Sequence, residues 1–397
     1  MRKLDNWLDS WMQYTENTEP AELFRLWVGL GTVCACLRRK CYLVWDNRIY
    51  PNMYVVLVGP SASRKGTAMR PGYEMLSELG IQMSAEATTR EALIRSLKLS
   101  LDNSHGEGAG VKRVTIHSSL TVFSEELVVF LGWGNMGLIS DLTDWYDCKD
   151  NWRYETKTQG KDEITGVWVN LIGATTPKLL ASALPDDAVG GGLVSRLMLV
   201  YAPGPEKMIP LPTRDMDLKK ALLHDLEAIM QLQGEFKFSP GFFGRYSEWY
   251  MQEAGETEID HPSFDGYNGR RATHLRKICM ALSAARSNDM VITEEDLERG
   301  IEILYATERR MPEAFSIRGK NPINEVLQHV MQRIQLSRKI RIEDLMAKFI
   351  NDLDSQQLDR IIQTLVQMKF ARVIVSGKQH YIEYIPKEKR NELPPDN

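Results

Sequence analysis

The stretch Gly59-Pro-Ser-Ala-Ser-Arg-Lys-Gly-Thr67 has the make-up of an anion cradle. A tight loop of small residues can aim several backbone N–H groups at one point, and a following helix adds its N-terminal dipole. Gly59, Ser61, Ser63, Arg64, Lys65, Gly66 and Thr67 would line such a cradle. Lys65 brings a point charge for the outer phosphates of a nucleoside triphosphate, and the Thr67 hydroxyl can hold Mg2+. ATP and Mg2+ are the cofactors implied. The general pattern is G-x-x-x-x-G-K-[ST]. This chain has Arg64 in place of the second glycine and Gly66 in place of the hydroxyl, with Thr67 one position later. A side chain at 64 sits without strain only if the backbone there avoids positive φ. The Arg64 guanidinium could itself face phosphate.

Breaking a phosphoanhydride bond also needs carboxylates, one in the metal shell and one to orient or deprotonate water. Glu125 and Glu126 follow the apolar run 114–123. Glu125 then takes the metal and Glu126 the water; in the other assignment Ser124 replaces the metal carboxylate and Glu125 is catalytic. Thr175 or Thr176, at the end of another apolar run, can hydrogen-bond the γ-phosphate or the water. Arg196 lies behind Gly190-Gly191-Gly192 at the lip of a strand. There it can reach the nucleotide of a neighbouring copy and stabilise the charge on the transferring phosphoryl group.

These side chains need a scaffold that carries them to one edge. Residues 54–58, 114–123, 167–175 and 197–201 are apolar and rich in β-branched residues, and read as buried strands of a parallel α/β sheet. The residues from 68 start a helix after the cradle. A capping box at Thr88–Glu91 precedes another helix, and 102–110 reads as a polar, Gly-rich loop. Residues 1–50 are mainly helical: Leu4, Trp7, Leu8, Trp11 and Met12 make one apolar face. That face can pack within the chain or on a neighbouring copy. Residues 152–161 read as a β-hairpin, with Arg153, Lys157 and Lys161 near its tip; a basic, aromatic hairpin can grip a nucleic-acid backbone. From 216 the pattern is helical: 216–233, 240–256, 262–286 and 294–314. The helix after Gly269 opens with Arg270 and Arg271, against the dipole preference for acids, and a bound anion would explain that. From 321, three helices and a two-stranded turn make a winged helix, suited to DNA or to a protein partner. The expected parts are a helical region 1–50, a core 51–205, a helical lid 206–318, a winged helix 319–386 and a polar tail 387–397.

The chain has 397 residues and a formal net charge of −4. That balance argues against a protein that coats nucleic acid, but permits a narrow basic channel. Five cysteines without metal-ligand spacing point to reduced structural thiols in a cytosol. The apolar run 23–37 is broken by Arg25 and too short for a bilayer, so no membrane association is expected.

Taken together, Gly59 to Thr67, Glu125-Glu126, Gly173-Ala-Thr-Thr-Pro177 and Gly190 to Arg196 resemble the P-loop ATPases of phages and mobile elements, of the primase/helicase-like type. The later part resembles the lid of AAA+ replicative helicases, including the minichromosome-maintenance type. The resemblance implies an AAA+ core and ATP hydrolysis between copies in a ring, usually a hexamer, moving on single-stranded or forked DNA. It implies a sensor arginine at Arg270 or Arg271, a pore loop at the 153–163 hairpin, other replication proteins as partners of the winged helix, and a bacterial host cytoplasm. A replicative helicase is the first expectation. An ATP-switched helicase loader or replication initiator, which does not translocate, is the second.

Overall fold

The computed structural model describes residues 2–108, 111–156, 160–184, 192–255, 259–260, 262–315, 330–331, 333–349, 354–377 and 379–386. The chain divides into two units, Met1–Phe315 and Ser316–Asn397.

In the first unit, helices α1 (Trp7–Tyr14) and α2 (Glu22–Leu37) lead to strands β1 (Cys41–Val44) and β2 (Arg48–Ile49). Strand β3 (Tyr54–Val58) runs into helix α3 (Lys65–Glu78), and α4 (Arg90–Leu99) follows. Then come β4 (Leu101–Gly108), β5 (Val111–Ser124), α5 (Leu127–Leu131) and α6 (Met136–Tyr146). The hairpin β6 (Asn151–Thr156) and β7 (Gly160–Thr165) precedes β8 (Val167–Thr175), α7 (Pro177–Ala183) and β9 (Leu197–Tyr201).

The central sheet has the order β4-β5-β8-β3-β9. β5, β8, β3 and β9 are parallel and β4 is antiparallel to β5. β3 and β8, predominantly apolar, are buried at every residue, as strands covered by helices on both faces are. All four parallel strands deliver their carboxyl ends to the same edge, where an open α/β sheet binds its ligands.

Three sequence readings are corrected here. The segment 102–110, read as a loop, is mostly strand β4, because ladder hydrogen bonds need no apolar side chain. The cap at residues 88–91 is a single Thr89 N-cap that accepts from Ala92 N, not a box from Thr88 to Glu91. The helix after the cradle begins at Lys65, not at 68.

A second sheet, β11-β10-β1-β2, joins the two ends of this unit. β10 (Gly234–Phe238) pairs in parallel with β1, and β11 (Val291–Ile292) with β10. Both strands fall in the gaps between the helices expected from 216 onward, where the sequence shows no strand pattern. The remaining helices include Met216–Met230, Arg271–Arg286 and Glu294–Glu308.

The apolar face of α1 packs inside the chain, with Trp7, Leu8 and Trp11 fully buried. Indole N–H groups tie it in: Trp7 donates to Leu222 O at 3.0 Å and Trp11 to Arg25 O at 2.7 Å. Asp225, also buried, accepts from the backbone N–H groups of Lys3 and Leu4. The stretches expected as the N-terminal region, core and lid therefore share one hydrophobic core. Gly72 lets α3 approach α2: a Cβ there would meet Thr32 Oγ1 and Val28 Cγ1, each at 2.9 Å.

In the second unit, helices Ile342–Lys348 and Ser355–Gln367 pack on a three-stranded antiparallel sheet with its own core. Its strands are β12 (Lys339–Arg341), β13 (Ala371–Ser376) and β14 (Gln379–Tyr384), in the order β12-β14-β13. The sequence reading had two of these strands; β12 is added by pairing with β14. The tail expected at 387–397 lies outside the described residues.

Candidate functional site: a lysine-bearing cleft and an arginine pair apart from it

The loop after β3 closes around the Lys65 ammonium. Lys65 Nζ donates to Gly59 O at 2.8 Å, Pro60 O at 2.9 Å and Ser63 Oγ at 3.1 Å. Ser63 Oγ in turn donates to Pro60 O at 2.8 Å. Burial lowers the Lys65 pKa, and the Glu126 carboxylate opposes that shift. The Lys65 ammonium thus lies within electrostatic reach of the carboxylate that the sequence reading paired with water.

Arg64 departs from the sequence expectation. Its φ of 63° and ψ of 27° are left-handed, as is Ala62 at φ 66°. A non-glycine residue there costs about 1–2 kcal/mol. An ion pair from Arg64 Nε to Glu19 Oε2 at 2.5 Å helps hold it. The Arg64 guanidinium thus lies on a carboxylate of the α1–α2 connection. Glu19 also accepts from Ile209 N at 3.3 Å, so the cradle is tied to the chain that leaves β9.

Glu125 and Glu126 emerge from β5, and β8 lies between that strand and β3. Glu125 nevertheless reaches the first turn of α3. A Cβ built on Gly66 would lie 2.7 Å from Glu125 Oε2 and 3.2 Å from Glu125 Cδ. The position after the lysine, where the general pattern has a hydroxyl, is therefore faced by a carboxylate from across the cleft. Ser124 is buried, and its hydroxyl has no hydrogen-bond partner among the described residues.

Thr175 and Thr176 end β8 differently. Thr176 Oγ1 accepts from Leu179 N at 3.3 Å as the N-cap of α7. Thr175 is buried and makes only a long bond, 3.4 Å, to Thr176 O. Of the two, Thr175 has the less committed hydroxyl.

These residues share one cleft of about 650 Å³. Its walls include Ser61, Ser63, Arg64, Lys65, Gly66, Thr67, Glu125, Glu126, Thr175 and Thr176. Two cations that the sequence reading missed are there as well, Arg70 and Arg214. Arg70 is exposed and bound to Glu74 at 3.1 Å. Arg214 is more enclosed, with a weak 3.7 Å ion pair to the same Glu74. It sits between β9 and the helix Met216–Met230, in a segment with no motif to mark it. A hard cation such as Mg2+ takes oxygen ligands and usually keeps water and phosphate in its shell. Glu125 and the Thr67 hydroxyl fit that donor set. Among the described residues no group of three or more His, Cys, Asp or Glu side chains is arranged to hold a metal ion.

The other arginines lie elsewhere. Arg196 is buried and donates to Gly192 O at 2.8 Å and to Asp147 Oδ2 at 2.7 Å. Arg270 approaches the other oxygen of Asp147 at 3.5 Å. The two therefore converge on one carboxylate, and neither lines the cleft of its own chain. Asp147 and Arg270 border a separate hollow of about 380 Å³, with Trp45, Arg48, Arg276 and Lys277. Asp186 and Asp187, acids near Arg196 in sequence, lie outside the described residues, as do Gly190 and Gly191.

Arg271 is not available to any nucleotide. It is 2% exposed and pairs with Glu308 through Nε at 2.8 Å and Nη2 at 2.7 Å, and it also donates to Ala254 O. Of the two, Arg270 has the more exposed side chain. His274, one turn further on, donates from Nε2 to Ser195 O at 3.0 Å, while its Nδ1 faces Tyr146 Oη at 3.3 Å. It thereby fixes the backbone next to Arg196. Burial pushes its pKa down to about 4, with the Ser195 carbonyl opposing and nearby Lys277, Arg270 and Arg196 assisting.

Of the hairpin residues, Arg153 is exposed but pairs with Glu163 at 3.0 Å across the ladder. Lys157 lies outside the described residues; Lys161 is on β7 opposite Glu155, and its side chain is not described. The five cysteines are buried free thiols, and no helix among the described residues is long and apolar enough to cross a membrane.

No protein-family model matches the chain, and no curated protein matches it. Among solved structures, it is similar to a full-length MCM homolog from Methanopyrus kandleri, with 13% identity and a TM-score of 0.40. The match covers 77% of this chain and 59% of that one, so the chain spans less than two thirds of that protein. A likeness of that size decides neither fold nor activity. The chain is a mixed α/β protein in which a lysine-bearing loop, two carboxylates and a buried threonine meet at the carboxyl edge of a parallel sheet.

Proposed function

We propose that this chain is a P-loop ATPase of the AAA+ type that moves on DNA, as a replicative helicase does, in a ring of copies. The observation that carries the reading is the cleft where Lys65, Thr67, Glu125, Glu126 and Thr175 meet. Bound ATP and Mg2+ supply the labile phosphoanhydride and the charge that polarises it. Lys65 and the loop N–H groups then orient the phosphates, Thr67 and Glu125 hold the metal shell, and Glu126 positions water. Thr175 bonds the γ-phosphate or the water, and Arg214 adds a cation from the same chain.

Arg196 and Arg270 lie apart from that cleft; Arg270 is partly exposed and is the proposed contact to the triphosphate of an adjacent copy, whereas Arg196, buried on Asp147 and Gly192 O, reaches one only by leaving them. The β6–β7 hairpin, with Arg153, Lys157 and Lys161, is the proposed DNA contact inside the ring. The Ser316–Asn397 unit is read as a winged helix.

The test is Lys65→Ala in the full chain. ATP hydrolysis and unwinding of a forked duplex should vanish together, with thermal stability retained. Unwinding that survives in this variant refutes the motor. A second reading, a loader or initiator switched by ATP, is favoured by the hold that three loop oxygens have on the Lys65 ammonium. It predicts weak hydrolysis and no strand separation in the unmodified protein.

A further inference from the structure

The unit from Ser316 onward has more basic than acidic residues, although the whole chain has a formal charge of −4. The helix that a winged helix would offer to DNA holds only one of its basic residues. Helix Ser355–Gln367 carries one arginine, Arg360, and one acid, Asp359. The cations gather instead around a groove of about 570 Å³ whose lining includes no residue of that helix.

Arg333, Lys339, Arg341 and Lys348 line this groove, with Asp344 as its single carboxylate among the described residues and Tyr381 as its aromatic wall. Asp344 is taken by Arg341, through bonds of 2.8 Å and 3.0 Å. Among the described residues, no carboxylate pairs with Arg333, Lys339 or Lys348. The Arg333 Nε is buried without a hydrogen-bond partner among the described residues. Lys339 Nζ lies 4.8 Å from the Tyr381 ring centroid. Three uncompensated cations around one concavity repel each other, and an anion relieves that repulsion. A groove with several such cations beside an aromatic ring matches a chain of phosphates carrying stackable bases.

We propose that this groove binds the phosphodiester backbone of a nucleic acid, and that it is the nucleic-acid face of the second unit in place of helix Ser355–Gln367. β12 supplies Lys339 and Arg341, helix Ile342–Lys348 supplies Lys348, and β14 supplies Tyr381. Side chains from separate elements thus address successive phosphates. This contact needs neither ATP nor the P-loop cleft, so it stands or falls apart from the motor reading.

The experiment uses the full-length chain without nucleotide, with fluorescent single-stranded and duplex oligonucleotides as probes. Binding is followed by anisotropy across a salt series. Lys339 and Lys348 are exposed, so K339E/K348E is compatible with folding, and its melting curve verifies that. The double variant should bind the preferred probe at least tenfold more weakly. Its plot of log K against log salt should flatten by about 1.4 for single strands or about 1.8 for duplex, as two lost phosphate contacts require. R360E, on the other helix, should change affinity less than twofold. Unchanged affinity and slope in K339E/K348E, or an equal loss in R360E, overturns the proposal. Loss only in an Arg153→Glu variant also overturns it, and leaves the motor reading standing.

Discussion

Substituting Gly66 by alanine isolates the contact between the cradle and the carboxylate that faces it. The added Cβ would lie 2.7 Å from Glu125 Oε2, too close for any pair of these atoms, so something must move. The yielding group is the end of an exposed side chain, and a shift of about 1 Å restores van der Waals distance. Folding should barely register it: alanine gains up to about 1 kcal/mol over glycine in a helix, which offsets the crowding. Catalysis should register it strongly. A misplacement of about 1 Å in a catalytic group costs about 100-fold in rate, or ~2.7 kcal/mol of barrier. Steady-state ATP hydrolysis should therefore show kcat reduced about 100-fold with KM nearly unchanged, while the melting temperature stays level or rises. An unaltered kcat in a stable G66A protein would show that Glu125 has no part in the reaction. A fall in melting temperature instead would mean that the carboxylate cannot move aside, contrary to its exposure.

Other outcomes follow from the same geometry. Arg214→Ala should weaken ATP binding about tenfold or more, the ~1.5–3 kcal/mol of a charged hydrogen bond, without lowering the melting temperature; titration with a fluorescent ATP analogue measures it. Glu308→Ala strands Arg271 in the interior and should cost about 3–5 kcal/mol in urea unfolding, whereas the folded fraction should still bind nucleotide. His274 is neutral in the fold down to about pH 4, whereas in the unfolded chain it protonates near pH 6.5. The unfolded state thus binds the extra proton between those values, and stability falls as pH drops through that window, by up to about 3 kcal/mol. Urea midpoints at pH 7 and pH 5 should separate by less in His274→Gln than in the unmodified chain.

Much of the scaffold was readable because its strands are buried on both faces. Tyr54–Val58, Val167–Thr175 and Leu197–Tyr201 lie where predominantly apolar runs put them. β4 was not readable, since Asp102-Asn-Ser-His-Gly-Glu-Gly108 has the composition of a loop, and only its ladder with β5 makes it a strand. β10 was hidden for a similar reason: its partner β1 is nearly two hundred residues upstream, beyond any local pattern. In the cleft, the loop and the acid pair announce themselves by residue type. Arg214 does not, because a lone arginine in a connection looks like any other surface charge.

Local chemistry therefore picked out the residues proposed for phosphate work: a lysine in a small-residue loop, paired acids after an apolar run, a threonine at a strand end. Those features depend on neighbours a few positions away, which is the reach of composition and periodicity. The fold alone settled how they meet. It inserted β8 between the lysine strand and the acid strand, set Glu125 against Gly66, drew Arg214 into the cleft, and sent Arg271 to Glu308 and Arg196 with Arg270 to Asp147. Strand order and long-range ion pairs are properties of packing, and packing is decided by contacts between segments that no window along the chain contains.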